Sequence, residues 1–267
     1  MKQIDVHDII NKFIKEMDYE NNEHVLGVYF YGSYQLGCAN EKSDIDLHVI
    51  FDDSNPKHII RGNHFIDGKR IEYFEKPLKE MYLTIMLDFK NQSNALLAIV
   101  GNSEIIMDKT GELYELSTYA KEVFEHPLPK LTENDAKEYV SILNNRMEKL
   151  DTLAHNGDLT FYHLYHLTIE KIRKFYHRVI GSPEIQTTKV IRIYTDDYYR
   201  ELINKGVMPE QEFIDMYIDA ICDSNKDMFI KLEKAKKLYS YAKRSIDLDE
   251  KSNYRIPIRS RSNEIRR

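Results

Sequence analysis

The chain has little of what would mark a secreted, thiolate-metal or membrane-spanning protein. It contains two cysteines, Cys38 and Cys222, which lie far apart and outside any Cys-x-x-Cys pair. This excludes a disulfide framework and a thiolate zinc site. The sequence has neither an apolar run of about 18 residues, the minimum for a membrane span, nor the basic and then apolar start of a signal peptide. We therefore expect a cytoplasmic protein that does not cross a membrane.

An excess of positive charge is also missing. The chain has 38 basic against 44 acidic residues, which gives a net charge of −6, and its aromatic residues are scattered rather than grouped on a basic stripe. Both observations argue against nucleic acid as a partner, and the negative net charge favours a small cationic molecule. The exception is the carboxyl-terminal segment, 251–267, with five arginines and few apolar residues. We predict that this basic tail is disordered.

The most informative stretch is a Gly-Ser turn that follows one apolar run and precedes two carboxylates. The run Val25–Tyr31 is apolar, aromatic and β-branched, which predicts a buried strand that ends at Gly32. A glycine lets the backbone approach a phosphate closely, and Ser33 adds a hydroxyl group. A helix begun near Tyr34 would present free N–H groups at the same place. Gly32 and Ser33 are therefore candidate nucleotide-binding residues.

Two carboxylates, Asp44 and Asp46, follow this turn in the next apolar run. They are two positions apart, so on a strand both leave the same face, while Ile45 and Leu47 point to the other. Adjacent carboxylates repel each other, so the pattern indicates either a divalent cation or strong solvation. Magnesium prefers oxygen ligands and shares the phosphates of a nucleotide. We predict that Asp44 and Asp46 bind Mg²⁺ beside a nucleoside triphosphate.

The spacing of the turn and the carboxylates is similar to that of a known family. A Gly-Ser turn, ten intervening residues and Asp-Ile-Asp before an apolar run resemble the signature of DNA polymerase β-type nucleotidyltransferases. An edge strand with two water-facing aspartates would explain the carboxylates but not the turn. The resemblance implies catalytic roles for Asp44 and Asp46 and a third carboxylate on a later strand.

A carboxylate that meets this expectation is Glu72. The segment 64–74 has an Asp67-Gly68 pair between two apolar stretches, a strong hairpin signal, with Glu72 in the second stretch. By resemblance, Glu72 is the general base that takes a proton from the acceptor hydroxyl as its oxygen attacks the α-phosphate and pyrophosphate leaves. An ordinary solvent-facing strand residue is the alternative. The rival, Glu75, points to the opposite face of a regular strand unless a bulge intervenes.

The order of the patterns predicts an α+β fold, a small mixed-sheet nucleotidyltransferase domain followed by an α-helical bundle domain. A helical pattern precedes the first strand, and further patterns follow the hairpin, with a short strand at 105–107. Two prolines and a helix-start signal at Thr132 set the predicted domains at 1–128 and 129–250. The predicted helices of the bundle are 135–154, 160–180, 187–203 and a helical stretch over 209–247.

This layout resembles that of antibiotic-modifying nucleotidyltransferases, especially aminoglycoside adenylyltransferases. Within the second domain, Tyr176, Gly181 and Lys189 occur in an order similar to that of the helical segment that closes over the nucleotide in such enzymes. The resemblance makes Lys189 a candidate triphosphate ligand, with Arg192 on the same helical face. A solvated surface position is the alternative for both.

Three histidines in the same region, at 163, 166 and 177, do not have the spacing of a metal site. His177 lies three helical turns beyond His166, and no His-Glu-x-x-His pattern occurs. We therefore predict packing or surface roles for these side chains.

The resemblance implies transfer of AMP from ATP to a hydroxyl group of a small, aminoglycoside-like cationic acceptor, with Mg²⁺ as cofactor and antibiotic resistance as the outcome. Two alternatives stay open: an antitoxin-like enzyme that adenylylates a protein, and a non-catalytic nucleotide-binding module. Addition of nucleotides to RNA ends is disfavoured by the net charge of −6. The sequence leaves open the acceptor, the preferred base and whether two chains form a homodimer.

Overall fold

The computed structural model describes residues 5–93, 95–129, 131–203, 206–244 and 246. The predicted tail, 251–267, lies outside the described residues. The chain divides into two compact units. The first unit comprises residues up to Pro129 and the segment that begins at Asp196, and the second comprises the helices between them and the chain after Gly206. The domain limits at 128 and 250 stay predictions.

A mixed β-sheet is the centre of the first unit. Its strands in the described residues are β1 (Val25–Tyr31), β2 (Ile45–Phe51), β3 (Ile60–Ile66), β4 (Lys69–Pro77) and β5 (Glu104–Asp108). Their order across the sheet is β3-β4-β2-β1-β5. The strands β2 and β4 are parallel, and the other neighbours are antiparallel. This arrangement confirms the predicted α+β fold with a mixed sheet and a helical second part.

Helices cover both faces of the sheet. They are α1 (Val6–Glu16), the single turn α2 (Gly32–Gln35), α3 (Leu78–Lys90), α4 (Ala95–Asn102) and α5 (Glu112–Glu125). On one face, Phe13 of α1 belongs to a buried cluster with Leu47 and Val49 of β2. On the other, Tyr29 and Ile50 pack with side chains of α3, α4 and α5. Each such apolar side chain stabilises the fold by about 1.5–3 kcal/mol when it is fully buried.

The hairpin that carries Glu72 forms where the sequence predicts it. The strands β3 and β4 are joined by Asp67 and Gly68, whose φ angles are +49° and +77°. Positive φ at both central residues is the geometry of a two-residue turn whose twist matches that of the strands, and Asp-Gly favours it.

The second unit is helical in its described part. Its helices are α6 (Glu133–His155), α7 (Thr160–Ile180), α8 (Val190–Thr195), α10 (Gln211–Cys222) and α11 (Met228–Lys243), while α9 (Asp197–Ile203) groups with the first unit. Both long helical stretches predicted after residue 187 are wrong in extent, since each contains a break. At the first, Asp196 accepts a hydrogen bond from the Tyr199 N–H. At the second, Asp227 caps α11 by accepting from the Phe229 and Ile230 N–H groups. Aspartates compete with the helix in this way.

None of the described helices is both long and apolar enough to cross a bilayer.

Candidate active site

Parallel pairing of β2 with β4 places Asp46 and Glu72 side by side. The two residues are direct Cα partners across the strands, and neighbouring strands lie about 4.8 Å apart. Side chains alternate along a strand, and Ile45 and Leu47 are buried in the cluster that contains α1. Asp46 and Glu72 therefore leave the opposite face together. The alternation of side chains along each strand is predictable from the sequence, but the pairing of Asp46 with Glu72 depends on the register between β2 and β4.

Glu75, the rival of Glu72, lies on the α1 side of the sheet and is 5% exposed. The Tyr19 hydroxyl donates to its Oε1 at 2.5 Å, and His58 Nε2 lies 2.5 Å from its Oε2. Tyr19 belongs to the same buried cluster as α1. The face that strand alternation predicts for Glu75 is confirmed, and its carboxylate is engaged in the core.

Gly32 lies directly against the carboxylate of Asp46. Its φ is +83°, and a Cβ atom at this position would lie 2.1 Å from Asp46 Oδ2 and 2.9 Å from Asp46 Cγ. Both the left-handed backbone and the close approach require glycine. The glycine of the Gly-Ser turn thus shapes the space around Asp46 as well as reversing the chain.

Ser33 follows in α2 and is half-buried. Its carbonyl oxygen accepts a hydrogen bond from the Cys38 N–H at 2.9 Å. The helix begins at Gly32 rather than at Tyr34 and has four residues. Gly32 lies against Asp46, the strand partner of Glu72, and Ser33 is the next residue of the turn, so the structure brings the predicted Gly-Ser turn to the acid pair.

Two arginines that the sequence analysis did not predict form ion pairs with the carboxylates of Asp44 and Glu72. Arg70 Nε donates to Asp44 Oδ1 at 2.7 Å, and Arg70 Nη2 donates to Asp44 Oδ2. Arg61 Nε donates to Glu72 Oε1 at 2.6 Å, and its Nη2 reaches the same oxygen. The side chains of Asp44 and Glu72 are 19% and 17% exposed, and those of Arg70 and Arg61 are 47% and 68% exposed.

Charge around Arg70 is strongly negative. Its hydrogen bond to Asp44, with smaller effects from Glu72 and Asp46, raises the pKa of the Arg70 guanidinium. The position of Arg70 beside the acids has a signal in the sequence. Arg70 precedes Glu72 by two positions, so both side chains leave the same face of β4. The repulsion between carboxylates that predicts a divalent cation is therefore partly offset by arginine.

The donor set still fits a hard divalent cation. Asp46 and Glu72 are partners across β2 and β4, and Asp44 directly precedes β2. All three offer carboxylate oxygens, the ligands that suit Mg²⁺. In the described ranges, no three His, Cys, Asp or Glu side chains are gathered as a ready-made metal cage. Since Arg70 and Arg61 engage two of the carboxylates, a metal would share or replace those contacts.

An aromatic layer adjoins the acid pair on the same face. Tyr31 is the antiparallel partner of Asp46, and its ring stacks on His48 with centroids 4.7 Å apart. His48 meets Phe74 edge-on at 5.4 Å. Burial, followed by the charge of Lys76, lowers the pKa of His48 to about 3, so the imidazole is neutral at pH 7. Sequence reasoning missed His48, because only the neighbouring strands bury it.

Lys189 belongs to the second unit and is exposed. It lies in the turn before α8 rather than within a helix, and its N–H donates to the Gln186 carbonyl at 2.9 Å. The helix predicted over 187–203 is wrong at this point, because α8 begins at Val190. Lys189 and Arg192 stay predicted nucleotide ligands.

The histidines of α7 have the predicted packing and surface positions. His177 is buried, with Nε2 2.6 Å from the Tyr194 hydroxyl and Nδ1 3.0 Å from the Pro183 carbonyl. His163 and His166 are exposed. These contacts make His177 a core residue of the second unit.

Part of the chain matches a known protein family. Residues 8–113 match the family described as the nucleotidyltransferase domain, a range that includes the sheet and all three carboxylates. No curated protein matches the chain. Among solved structures, a nucleotidyltransferase-like protein from Exiguobacterium sibiricum 255-15 is similar, with 13% identity and a TM-score of 0.47 over 89% of this chain and 74% of that one. The match to a nucleotidyltransferase domain over residues 8–113 agrees with the resemblance that the Gly-Ser turn and the carboxylates indicate.

Proposed function

We propose that the protein transfers AMP from ATP to a hydroxyl group of a small cationic acceptor and releases pyrophosphate. The observation that carries the proposal is the side-by-side position of Asp46 and Glu72 on β2 and β4, with Gly32 against the Asp46 carboxylate. One carboxylate can hold a metal while its neighbour accepts a proton, which is the division of work that nucleotidyl transfer needs.

Asp44 and Asp46 are the proposed holders of Mg²⁺, which when bound neutralises charge that develops on the phosphate oxygens. Gly32 has no side chain, so the Asp46 carboxylate lies directly against the backbone of the turn that we propose faces the phosphates. Ser33 adds a hydroxyl that can donate to a phosphate oxygen. Together these residues position the α-phosphate for attack from the acceptor side.

Glu72 is the proposed general base. As the acceptor oxygen forms its bond to the α-phosphorus, its proton moves to the Glu72 carboxylate, and the bond from the α-phosphorus to pyrophosphate breaks. In the free protein this carboxylate accepts from Arg61. A base that takes part in a hydrogen bond with an exposed arginine can change partners without a large rearrangement.

The cationic nature of the acceptor is supported by charge. The chain carries a net charge of −6, and carboxylates recognise ammonium groups through charge-assisted hydrogen bonds. An aminoglycoside-like acceptor, and hence a role in antibiotic resistance, is the form of this proposal that the sequence resemblance favours.

The test is transfer of label from α-³²P-ATP in the presence of Mg²⁺ to a panel of aminocyclitol and lincosamide acceptors. We expect Glu72→Gln to lower kcat by about 10²- to 10⁴-fold, and Asp46→Asn to abolish metal-dependent binding of a non-hydrolysable ATP analogue. The matched control is Glu104→Gln, an exposed acid on β5 that pairs with His7 and should keep full activity.

Each alternative has its own result in this assay. Label that moves to macromolecules in a lysate, but to no small acceptor, indicates an enzyme that adenylylates protein. Metal-dependent nucleotide binding without any transfer indicates a non-catalytic module. Equal activity of wild type and Glu72→Gln would refute the assigned base.

A further inference from the structure

We propose that Arg61 and Arg70 exchange partners when a nucleotide binds. In the free protein Arg61 neutralises Glu72 and Arg70 neutralises Asp44. In the complex both arginines bind phosphate oxygens of the nucleotide, while Asp44 takes the metal and Glu72 is released to act as the base. This inference rests on the proposed function, because it assigns the anion-binding half of the same site. It makes both arginines specificity-determining residues for the nucleoside triphosphate.

The contact of Arg70 with Asp44 has the geometry of an exchangeable pair. The guanidinium meets the carboxylate through both Nε and Nη2, one to each oxygen. A phosphate group presents the same two-oxygen edge, so it can replace the carboxylate without loss of either hydrogen bond. Arg70 is on the face of β4 that carries Glu72, within the field of all three acids. A phosphate bound beside the metal would therefore lie within its reach.

Arg61 reaches the site from the edge of the sheet. Its strand, β3, pairs with β4 alone among the described strands, and its guanidinium lies over the Phe74 ring with 5.4 Å to the centroid. The aromatic face holds the guanidinium beside Glu72 while most of the side chain remains in water. This arrangement positions the guanidinium charge and leaves its N–H groups able to exchange Glu72 for another acceptor.

The unequal exposure of the partners decides which of them moves. Both carboxylates are less than one-fifth exposed, and both arginines are about half exposed or more. Exposed ion pairs contribute only about 0–1 kcal/mol to stability. A metal ion with three phosphates can displace such pairs, because it offers the carboxylates a divalent cation and the arginines a polyanion at once.

The exchange has a consequence that a purely structural role does not share. Each arginine cancels negative charge beside the metal position, Arg70 at the proposed ligand Asp44 and Arg61 at the neighbouring base Glu72. Removal of either arginine should therefore strengthen the binding of metal alone. Each arginine also binds the nucleotide, so its removal should weaken the binding of metal with nucleotide. The two effects have opposite signs in the same variant.

The experiment is calorimetric titration of Mg²⁺ alone, and of α,β-methylene-ATP with Mg²⁺, into the full chain. For Arg70→Gln and Arg61→Gln we expect the Kd for Mg²⁺ alone to fall by up to about fivefold. We expect the Kd for the nucleotide to rise by about ten- to a hundredfold. Arg70→Lys keeps the charge but not the planar fork, so its nucleotide affinity should lie between those of wild type and Arg70→Gln.

The matched control is Lys12→Gln, which removes a cation that pairs with Asp67 at the turn of the same hairpin. It should leave both affinities unchanged. Weaker binding of metal as well as nucleotide by the arginine variants would overturn the exchange, and so would unchanged nucleotide binding. Far-UV circular dichroism establishes that each variant is folded.

The outcomes separate this inference from the proposed function. If the opposite effects on metal and nucleotide are found but no acceptor is modified, the exchange stands and the transferase proposal fails. If AMP transfer is found and the arginine variants bind nucleotide as wild type does, the exchange alone fails. A wild-type protein that binds no nucleotide overturns both.

Discussion

Each unit of the molecule contains contacts between arginine and carboxylate, but the two units build them differently. In the first unit, Arg61 and Arg70 are 68% and 47% exposed. In the second unit, the Arg173 side chain is 0% exposed and pairs with Glu170 on the same helix, α7. The chemical groups are the same, so their surroundings decide what each contact can do.

The contact in the second unit is part of a network around the buried Arg173 side chain. Arg173 Nη2 donates to Glu170 Oε2 at 2.9 Å and to the Ile185 carbonyl at 3.0 Å. Thr187 and Tyr217 also donate to Glu170. Burial opposes ionisation of Glu170, but Arg173 and these hydroxyls together outweigh it and hold the pKa of the carboxyl below its ordinary value. The network joins α7, the segment before α8 and α10.

The comparison distinguishes an arginine that stabilises the fold, Arg173, from arginines that are accessible to a ligand, Arg61 and Arg70. The Glu170 side chain is 18% exposed, about as much as those of Asp44 and Glu72, so the difference lies in the arginine. Arg173 is fully buried and also donates to the Ile185 carbonyl, so its loss leaves polar groups in the core without a partner. Arg61 and Arg70 reach their carboxylates from the solvent side, so water can take the place of either arginine when it is removed. Mutation of arginine should therefore affect stability in the second unit and binding in the first.

The largest effect should come from Arg173→Gln. Loss of the guanidinium leaves Glu170 without its cation and the Ile185 carbonyl without a donor, which should lower the free energy of unfolding by about 3–5 kcal/mol. Urea unfolding followed by tyrosine fluorescence measures this. Arg200→Gln, which breaks an exposed pair with Asp197 on α9, is the control and should cost less than about 1 kcal/mol. Equal effects would remove the distinction between buried and exposed pairs.

Acid should weaken the second unit through His177. Burial, and then the charge of Arg173, lowers the pKa of His177 to about 3 from an ordinary 6.5. Between these values the imidazole is protonated only in the unfolded chain. Its contribution to stability is complete above pH 6.5 and falls by about 1.4 kcal/mol per pH unit as the pH drops toward 3.

Unfolding of wild type and His177→Gln from pH 7.5 to 4.5 measures this slope. The variant should be less stable at pH 7.5, because its contacts with Tyr194 and Pro183 change, but its stability should depend less on pH. The exposed His163 provides the control, and His163→Gln should leave the slope unchanged. Parallel slopes for wild type and His177→Gln would contradict the prediction.

In the first unit, Gly32→Ala should damage the site more than the fold. Left-handed backbone costs a residue other than glycine about 1–2 kcal/mol, and the new methyl group would displace the Asp46 carboxylate, which lies 2.1 Å from a Cβ at this position. Gly37→Ala is the control, because Gly37 has a φ of +69° but no atom within 4 Å of a Cβ.

Both glycine variants should therefore lose similar backbone stability, whereas only Gly32→Ala should lose metal-dependent nucleotide binding. Thermal unfolding and calorimetry measure the two quantities separately. Nucleotide binding that is lost equally in both variants would indicate a general effect of the loop rather than the contact with Asp46.

The smallest effect on stability should come from Arg61→Gln and Arg70→Gln. Because both arginines are exposed, each variant should lower the free energy of unfolding by less than about 1 kcal/mol. Urea unfolding at low and at high salt measures this, and salt should reduce the difference from wild type further. A loss similar to that of Arg173→Gln would mean that these pairs hold the hairpin.

Much of the first unit was predictable because its signals are local. The apolar run Val25–Tyr31, the Asp67-Gly68 turn and the alternation around Asp46 each depend on neighbouring residues only. The same holds for α7, whose apolar spacing fixes its extent over Thr160–Ile180. These local signals explain why the α+β fold could be predicted from the sequence.

The remaining features depend on pairing between distant segments. Arg61 meets Glu72 only because β3 and β4 pair in one register, and His48 is buried only because Tyr31 and Phe74 lie on either side of it. The break at Asp196 follows from one side-chain hydrogen bond that apolar spacing does not encode. Contacts that tune the site are therefore the least visible in the sequence.

The parallel pairing of β2 with β4 also bears on how the protein folds. The hairpin of β3 and β4 closes through a two-residue turn, whereas Asp46 and Glu72 are 26 positions apart and meet only when this hairpin docks on β2. Non-local pairing of this kind is slow, because the loop entropy is lost before the contacts form. The acid pair is therefore assembled late, and during refolding nucleotide binding should return no earlier than the completed sheet.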